Sequence, residues 1–254
     1  MHQHVQELLP RYRIGTLHPD DALVEVRETT DASSDPYVHD PVRSPMLVVR
    51  CEKPFNAEPP PQLLGDHYIT PTDLLFVRNH LPVSEPSSCL CGWTSSCHRA
   101  GEQVPEIDPV TWRLEVLGDG LKDGSVLRLS LQDLRTLFPR AEVTTVLQCA
   151  GNRRGDMSVH AKPTRGLAWG IGAMGNVQFA GARLRDVLEW AGLSDDAVGK
   201  SVRHVHFEGL DCDPATGTHY AASIPADRAM DTHADVLLAY EMNGEALTRL
   251  VPPA

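Results

Sequence analysis

The sequence contains no apolar run approaching the roughly 20 residues that cross a bilayer, so no membrane span is expected from it. It also lacks an excess of positive charge. Its 23 basic residues face 34 acidic ones, for a net charge of -11. Neutralising phosphates takes clustered Lys and Arg, which argues against a nucleic-acid partner. A small anion stays open, because a pocket can be locally basic on an acidic protein. Gly-x-Ser-x-Gly and the P-loop are missing, as is any histidine pair at metal-binding helical spacing, leaving hydrolase and kinase chemistry without support. The start, Met1-His2-Gln3-His4-Val5-Gln6-Glu7, has no apolar core and carries a glutamate, unlike a signal or transit peptide. Either the protein acts in the cytosol or this start is not that of the natural precursor.

The chain's 254 residues can bury a full core in one or two domains. With 41% apolar and 22% charged residues, its composition is that of an ordinary globular protein. Its 20 prolines and 19 glycines imply many turns, suiting a mixed or β-rich fold better than a helical bundle. The six cysteines, Cys51, Cys89, Cys91, Cys97, Cys149 and Cys212, are even in number, but a long chain without a secretory leader does not suggest a disulfide framework.

Local patterns predict a short amphipathic helix over 2–12, a polar lead-in over 20–45 and a strand at Met46-Leu47-Val48-Val49. The three prolines that end 54–61 predict an extended segment. A strand at 74–82 ends in Arg78, Asn79 and His80, which supply a charged fork, an amide and an imidazole, or form only a solvated turn. Residues 84–107 contain Cys89, Cys91, Cys97 and His98 without the paired short spacings of a zinc site, and read as a long surface loop. Trp112–Leu117 alternates as a strand. Ser130–Phe138 is a helix capped by Ser130 with Asp133 three residues on, and stopped by Pro139. A glycine-rich segment at 170–175 precedes a helix over 181–192 that ends at Gly192. Strands follow at Val202–Phe207 and Val236–Tyr240, with a loop at 209–214 between them.

Chemistry concentrates in 144–154, where a β-branched run ends in Cys149, Ala150, Gly151, Asn152, Arg153 and Arg154. This pattern predicts a buried strand that delivers one thiol to a sheet edge with two guanidiniums pointing outward. A thiolate beside fixed positive charge can be a nucleophile, a redox centre or a metal ligand. A buried cysteine can equally be a small hydrophobe.

Five ordered motifs resemble the molybdenum domain of the sulfite oxidase family: 54–60 (Pro-Phe-Asn-Ala-Glu-Pro-Pro), 76–80 (Phe-Val-Arg-Asn-His), 147–154 (Leu-Gln-Cys-Ala-Gly-Asn-Arg-Arg), 181–184 (Gly-Ala-Arg-Leu) and 207–209 (Phe-Glu-Gly). Assimilatory nitrate reductases share that domain, but 57–61, 210–214 and 222–225 look more like the animal sulfite oxidases. The resemblance implies an α+β fold, a mixed β-rich molybdopterin-binding domain at 41–254 with an insertion at 84–107. It makes 1–40 similar to the tether that follows a b-type haem domain. It implies Cys149 as the molybdenum thiolate beside a molybdopterin, and Phe76, Val77, Arg78, Asn79, His80 and Asp211 as cofactor contacts. Arg78, Arg154 and Trp169 become the walls of an anion pocket. The implied reaction is oxygen-atom transfer that converts sulfite to sulfate, with electrons leaving singly to a haem domain or cytochrome, in the mitochondrial intermembrane space. The family's chain continues past the 243–245 region into a His- and Arg-bearing pterin segment, an active-site tyrosine and a β-sandwich that makes the homodimer. This sequence stops at Ala254, and no haem domain is in it. The expectation is therefore an incomplete version of the enzyme, with a nitrate-reducing relative or a non-catalytic remnant as the alternatives.

Overall fold

The computed structural model describes residues 40–79, 107–118, 120–121, 126–212 and 219–247, with Leu210–Cys212 placed by backbone alone. The helix over 2–12, nearly all of the 84–107 insertion, and His80 lie outside the described residues. In chain order the strands are β1 (Val48–Cys51), β2 (Asn56–Glu58), β3 (Arg113–Val116), β4 (Leu127–Ser130), β5 (Arg140–Gln148), β6 (Met174–Arg183), β7 (His204–Cys212), β8 (His219–Pro225), β9 (Leu237–Met242) and β10 (Glu245–Ala246). The helices are α1 (Leu131–Leu137), α2 (Arg154–His160), α3 (Leu184–Ala191) and α4 (Ala226–Met230). This is the expected α+β class.

The largest sheet is antiparallel, in the order β10-β9-β6-β5. β5 and β6 run in register from Arg140 against Ala182 to Gln148 against Met174, and this sets the end of β5, where Cys149 follows, beside the start of β6. Asn243 (φ 53°) and Gly244 (φ 81°) turn β9 into β10. Both adopt the left-handed conformation that a two-residue hairpin turn requires. β1–β2, β3–β4 and β7–β8 form separate two-stranded pairs.

The core lies in clusters that share these elements. Leu75, Phe76, Trp169, Ala173, Val177 and Met242 pack together, with Cys149 and Leu147 against them. Leu129, Leu134, Phe138, Ala182, Val187 and Tyr240 form a second group. α3 turns Leu184, Val187, Leu188 and Ala191 inward and closes at Gly192 (φ 105°). Each of its larger apolar side chains contributes about 1.5–3 kcal/mol by leaving water. α1 carries the expected capping box. The Asp133 N–H donates to Ser130 Oγ at 3.0 Å, and Asp133 Oδ2 accepts from the Ser130 N–H at 2.8 Å.

Several sequence expectations are corrected. β1 starts at Val48, because 44–47 form a turn closed by the Leu47 N–H on the Ser44 carbonyl at 3.2 Å. Pro61 opens a 3-10 turn over Pro61–Leu63, where the first position needs no N–H. In the described part of the predicted strand at 74–82, residues 74–79, a 3-10 turn over Thr72–Leu74 is followed by an isolated antiparallel bridge, Ala57 to Val77, while 80–82 lie outside the described residues. β5 is an edge strand with Thr144, Thr145 and Val146 exposed, rather than a buried strand. The helix predicted from Gly181 starts at Leu184, since 181–183 complete β6. β7 continues to Cys212 through the expected loop, paired there with His219 of β8.

Candidate functional site

Cys149 immediately follows β5 and is tied to the start of β6: its N–H donates to the Ala173 carbonyl at 2.9 Å. Its thiol is unbridged and half-buried. The Gly151 N–H points at Cys149 Sγ at 3.4 Å. The turn closes with the Asn152 N–H on the Cys149 carbonyl at 2.9 Å, and Asn152 Oδ1 accepts from the Ala173 N–H at 3.1 Å.

The two arginines after this turn behave differently. Arg153 sits in the left-handed region (φ 63°) and sends its exposed guanidinium to Asp156 at 3.0 Å. Arg154 folds back instead of pointing outward. Its Nη1 donates to the Leu167 carbonyl at 3.1 Å. A Cβ on Gly151 would lie 2.8 Å from Arg154 Nη2 and 2.9 Å from Trp169 Cδ1, and one on Gly166 would lie 2.6 Å from Arg154 Nη1. The guanidinium is therefore packed against two glycine backbones, where an added Cβ would force it to move.

Trp169 is fully buried and makes an edge contact with Phe76, with centroids 6.5 Å apart. Its Nε1–H has no hydrogen-bond partner among the described residues. A buried donor without an acceptor costs about 1–3 kcal/mol. Thiol, amide donor, guanidinium and indole thus meet around Gly151.

Arg78 and Asn79 are organised by β2. Asn56 Oδ1 accepts from Arg78 Nη1 at 3.0 Å and from the Asn79 N–H at 2.9 Å, while Asn79 Nδ2 donates to the Phe55 carbonyl at 2.9 Å. Arg78 also donates to the Asn79 carbonyl. Asn79 is buried rather than solvated. Phe76 links this segment to Trp169; Val77 is held by the bridge to Ala57. Asp211 is placed only by its backbone in β7, and its side chain is outside the described residues.

Two site residues were visible in the sequence only as parts of a motif. Asn56 is 1% exposed, and Glu58 is 2% exposed. Glu58 accepts from Arg50 Nε at 2.5 Å and from the N–H groups of Gly170 at 2.7 Å and Gly172 at 2.8 Å. An acidic residue between alanine and proline suggests surface. Only the tertiary fold brings it its three donors.

A soft sulfur donor, a fork-shaped cation and a buried N–H could together hold a thiophilic metal and face a small oxyanion. The chain belongs to the oxidoreductase molybdopterin binding domain family, whose model matches residues 101–250. It is 50% identical over 97% of its length to mitochondrial sulfite oxidase of Homo sapiens, and spans 39% of that protein. It is 35% identical over 85% of its length to a nitrate reductase [NAD(P)H] of Hordeum vulgare, spanning 21% of that protein. Among solved structures, the sulfane dehydrogenase SoxCD from Paracoccus pantotrophus matches with a TM-score of 0.52 at 21% identity, covering 98% of this chain and 52% of that one, and supports the fold. The residues present fit a molybdopterin centre on their own chemistry, through the half-buried thiol with its amide donor and the orphaned indole N–H beside it.

Proposed function

We propose that this chain carries the molybdenum centre of an enzyme that oxidises sulfite to sulfate by oxygen-atom transfer. One observation carries the reading: the Gly151 amide faces Cys149 Sγ while the same glycine packs against the Arg154 guanidinium and the Trp169 indole. Greater identity to the sulfite oxidase than to the nitrate reductase favours sulfite over nitrate.

In this reading Cys149 would hold molybdenum as a thiolate, and Phe76, Val77, Arg78, Asn79, His80 and Asp211 would lie against the pterin. When bound, the group supplies the two-electron redox centre for oxygen transfer. The protein's own part is positioning. Arg154, pinned by the Leu167 carbonyl, keeps N–H groups for an anion, and a planar fork matches two oxygens at once as a lysine cannot. The Trp169 N–H adds a neutral donor from a dry wall, where a hydrogen bond is stronger than in water. Arg78, oriented by Asn56, supplies a second guanidinium. Phe76 and Ala173, both buried, keep the wall behind Trp169 apolar.

The wider reading has residues 1–40 as a tether after a haem domain and 41–254 as the molybdopterin-binding domain. It adds single-electron transfer to a haem or cytochrome and a mitochondrial intermembrane-space location. The test is expression in a host that makes the cofactor, followed by molybdenum analysis and sulfite-dependent cytochrome reduction, with nitrate offered as an alternative substrate. Bound molybdenum with sulfite turnover supports the proposal. Molybdenum without it, or preferred nitrate reduction, overturns it.

A further inference from the structure

We propose that Glu58 is a positioning residue for the anion pocket: its buried carboxylate sets the place of Trp169, and through Ala173 that of Cys149, against Arg78, which the same strand holds. The inference rests on the functional reading above for the identity of the pocket and for its kinetic arm.

A carboxylate that is 2% exposed requires compensation. Glu58 obtains it from Arg50 and from two amides of one loop, Gly170 to Oε1 at 2.7 Å and Gly172 to Oε2 at 2.8 Å. The two amides, two residues apart, converge on the one carboxylate, one to each oxygen. The fit is close, since a Cβ on Gly172 would lie 2.6 Å from the Pro59 carbonyl oxygen and 3.0 Å from Glu58 Oε2.

The loop clamped in this way interleaves with the cysteine turn. Arg153 N–H donates to the Gly170 carbonyl at 2.7 Å, Gly155 N–H to the Trp169 carbonyl at 2.9 Å, and Cys149 N–H to the Ala173 carbonyl at 2.9 Å. Two positions before Glu58, on the same face of β2 by strand alternation, Asn56 holds Arg78 at 3.0 Å. One short strand therefore sets the spacing between an arginine on one side of the pocket and the tryptophan loop on the other. A glutamine at this position accepts only one of the two amides and turns an NH2 group toward the other, so the loop must shift.

The test compares holoenzyme wild type with Glu58→Gln and Glu58→Asp. It reads the exchange rates of the Gly170 and Gly172 amides, the indole N–H resonance of Trp169 (assigned with Trp169→Phe), and KM and kcat for sulfite. Expected for Glu58→Gln are exchange accelerated at least tenfold at one of the two glycines, a displaced Trp169 resonance, and KM raised about tenfold with kcat changed less than about threefold. Glu58→Asp, which keeps the charge on a shorter arm, should give a KM between those of wild type and Glu58→Gln. A Glu58→Gln protein that exchanges faster or melts lower while the Trp169 resonance and KM stay at wild-type values would reduce Glu58 to a merely structural role and overturn the proposal. Should Glu58→Gln fail to fold, Glu58→Asp decides alone: a displaced resonance with intermediate KM supports positioning, and wild-type values for both overturn it. A wild type without sulfite turnover, combined with a Trp169 resonance that moves in the variants, counts against the functional reading and for the positioning role.

Discussion

Gly166 and Arg154 are packed so closely that a methyl group on Gly166 would lie 2.6 Å from Nη1 of the guanidinium. Gly166 also adopts φ 113°, which disfavours any side chain. Gly166→Ala should therefore displace Arg154 rather than merely loosen a loop. The expected outcome is a rise in KM for sulfite of about tenfold or more, as one charge-assisted contact is lost. Steady-state kinetics on the purified holoenzyme check it, and an unchanged KM would place the anion elsewhere.

Arg154→Lys separates charge from shape. The lysine keeps the positive charge but has no planar fork and cannot repeat the hold on the Leu167 carbonyl in the same orientation. Anion affinity should fall by about tenfold or more while melting changes little. Wild-type KM in this variant would show that charge alone suffices.

At α1 the pH dependence has a defined sign. The Ser130 hydroxyl and then the Ser130 N–H, both bonded to Asp133, hold its carboxyl below the ordinary value of 3.8. A carboxyl whose folded-state pKa is depressed contributes stability above its unfolded pKa and loses it as pH falls through the folded value. Stability measured from pH 6 downward should therefore decline less steeply in Asp133→Asn than in wild type. Ser130→Ala should cost about 1 kcal/mol at neutral pH in urea denaturation.

Leu129 is 2% exposed at the centre of the second core group. Leu129→Ala should cost about 2–5 kcal/mol, since the lost transfer energy is joined by a cavity. Denaturant titration measures it; a loss under 1 kcal/mol would mean that the cluster collapses around the smaller side chain.

The elements readable from sequence were those whose signals are local. The Ser130–Asp133 cap, the apolar stripe of α3 and its Gly192 terminus all appeared as expected, because each depends on residues within a few positions. β6 did not. Gly175, Asn176, Gln178 and Gly181 have poor strand propensity, but β6 pairs with β5 on one side and β9 on the other, and its buried positions favour small residues. The same division holds in the site. The cysteine and its neighbouring arginines were visible as a cluster. The inward turn of Arg154 was not, since it depends on Gly166 and Leu167, more than ten positions downstream. Glu58 meets its loop across 112 residues of sequence, and no local pattern encodes that pairing.

The identity of the metal's protein ligand is tested most directly by X-ray absorption at the molybdenum edge, on the holoenzyme and on Cys149→Ser loaded in the same host. Loss of a sulfur from the metal's coordination shell in the variant, with its fold intact, is the predicted result. An unchanged sulfur count in Cys149→Ser would contradict the assignment of Cys149 as the thiolate that holds the metal.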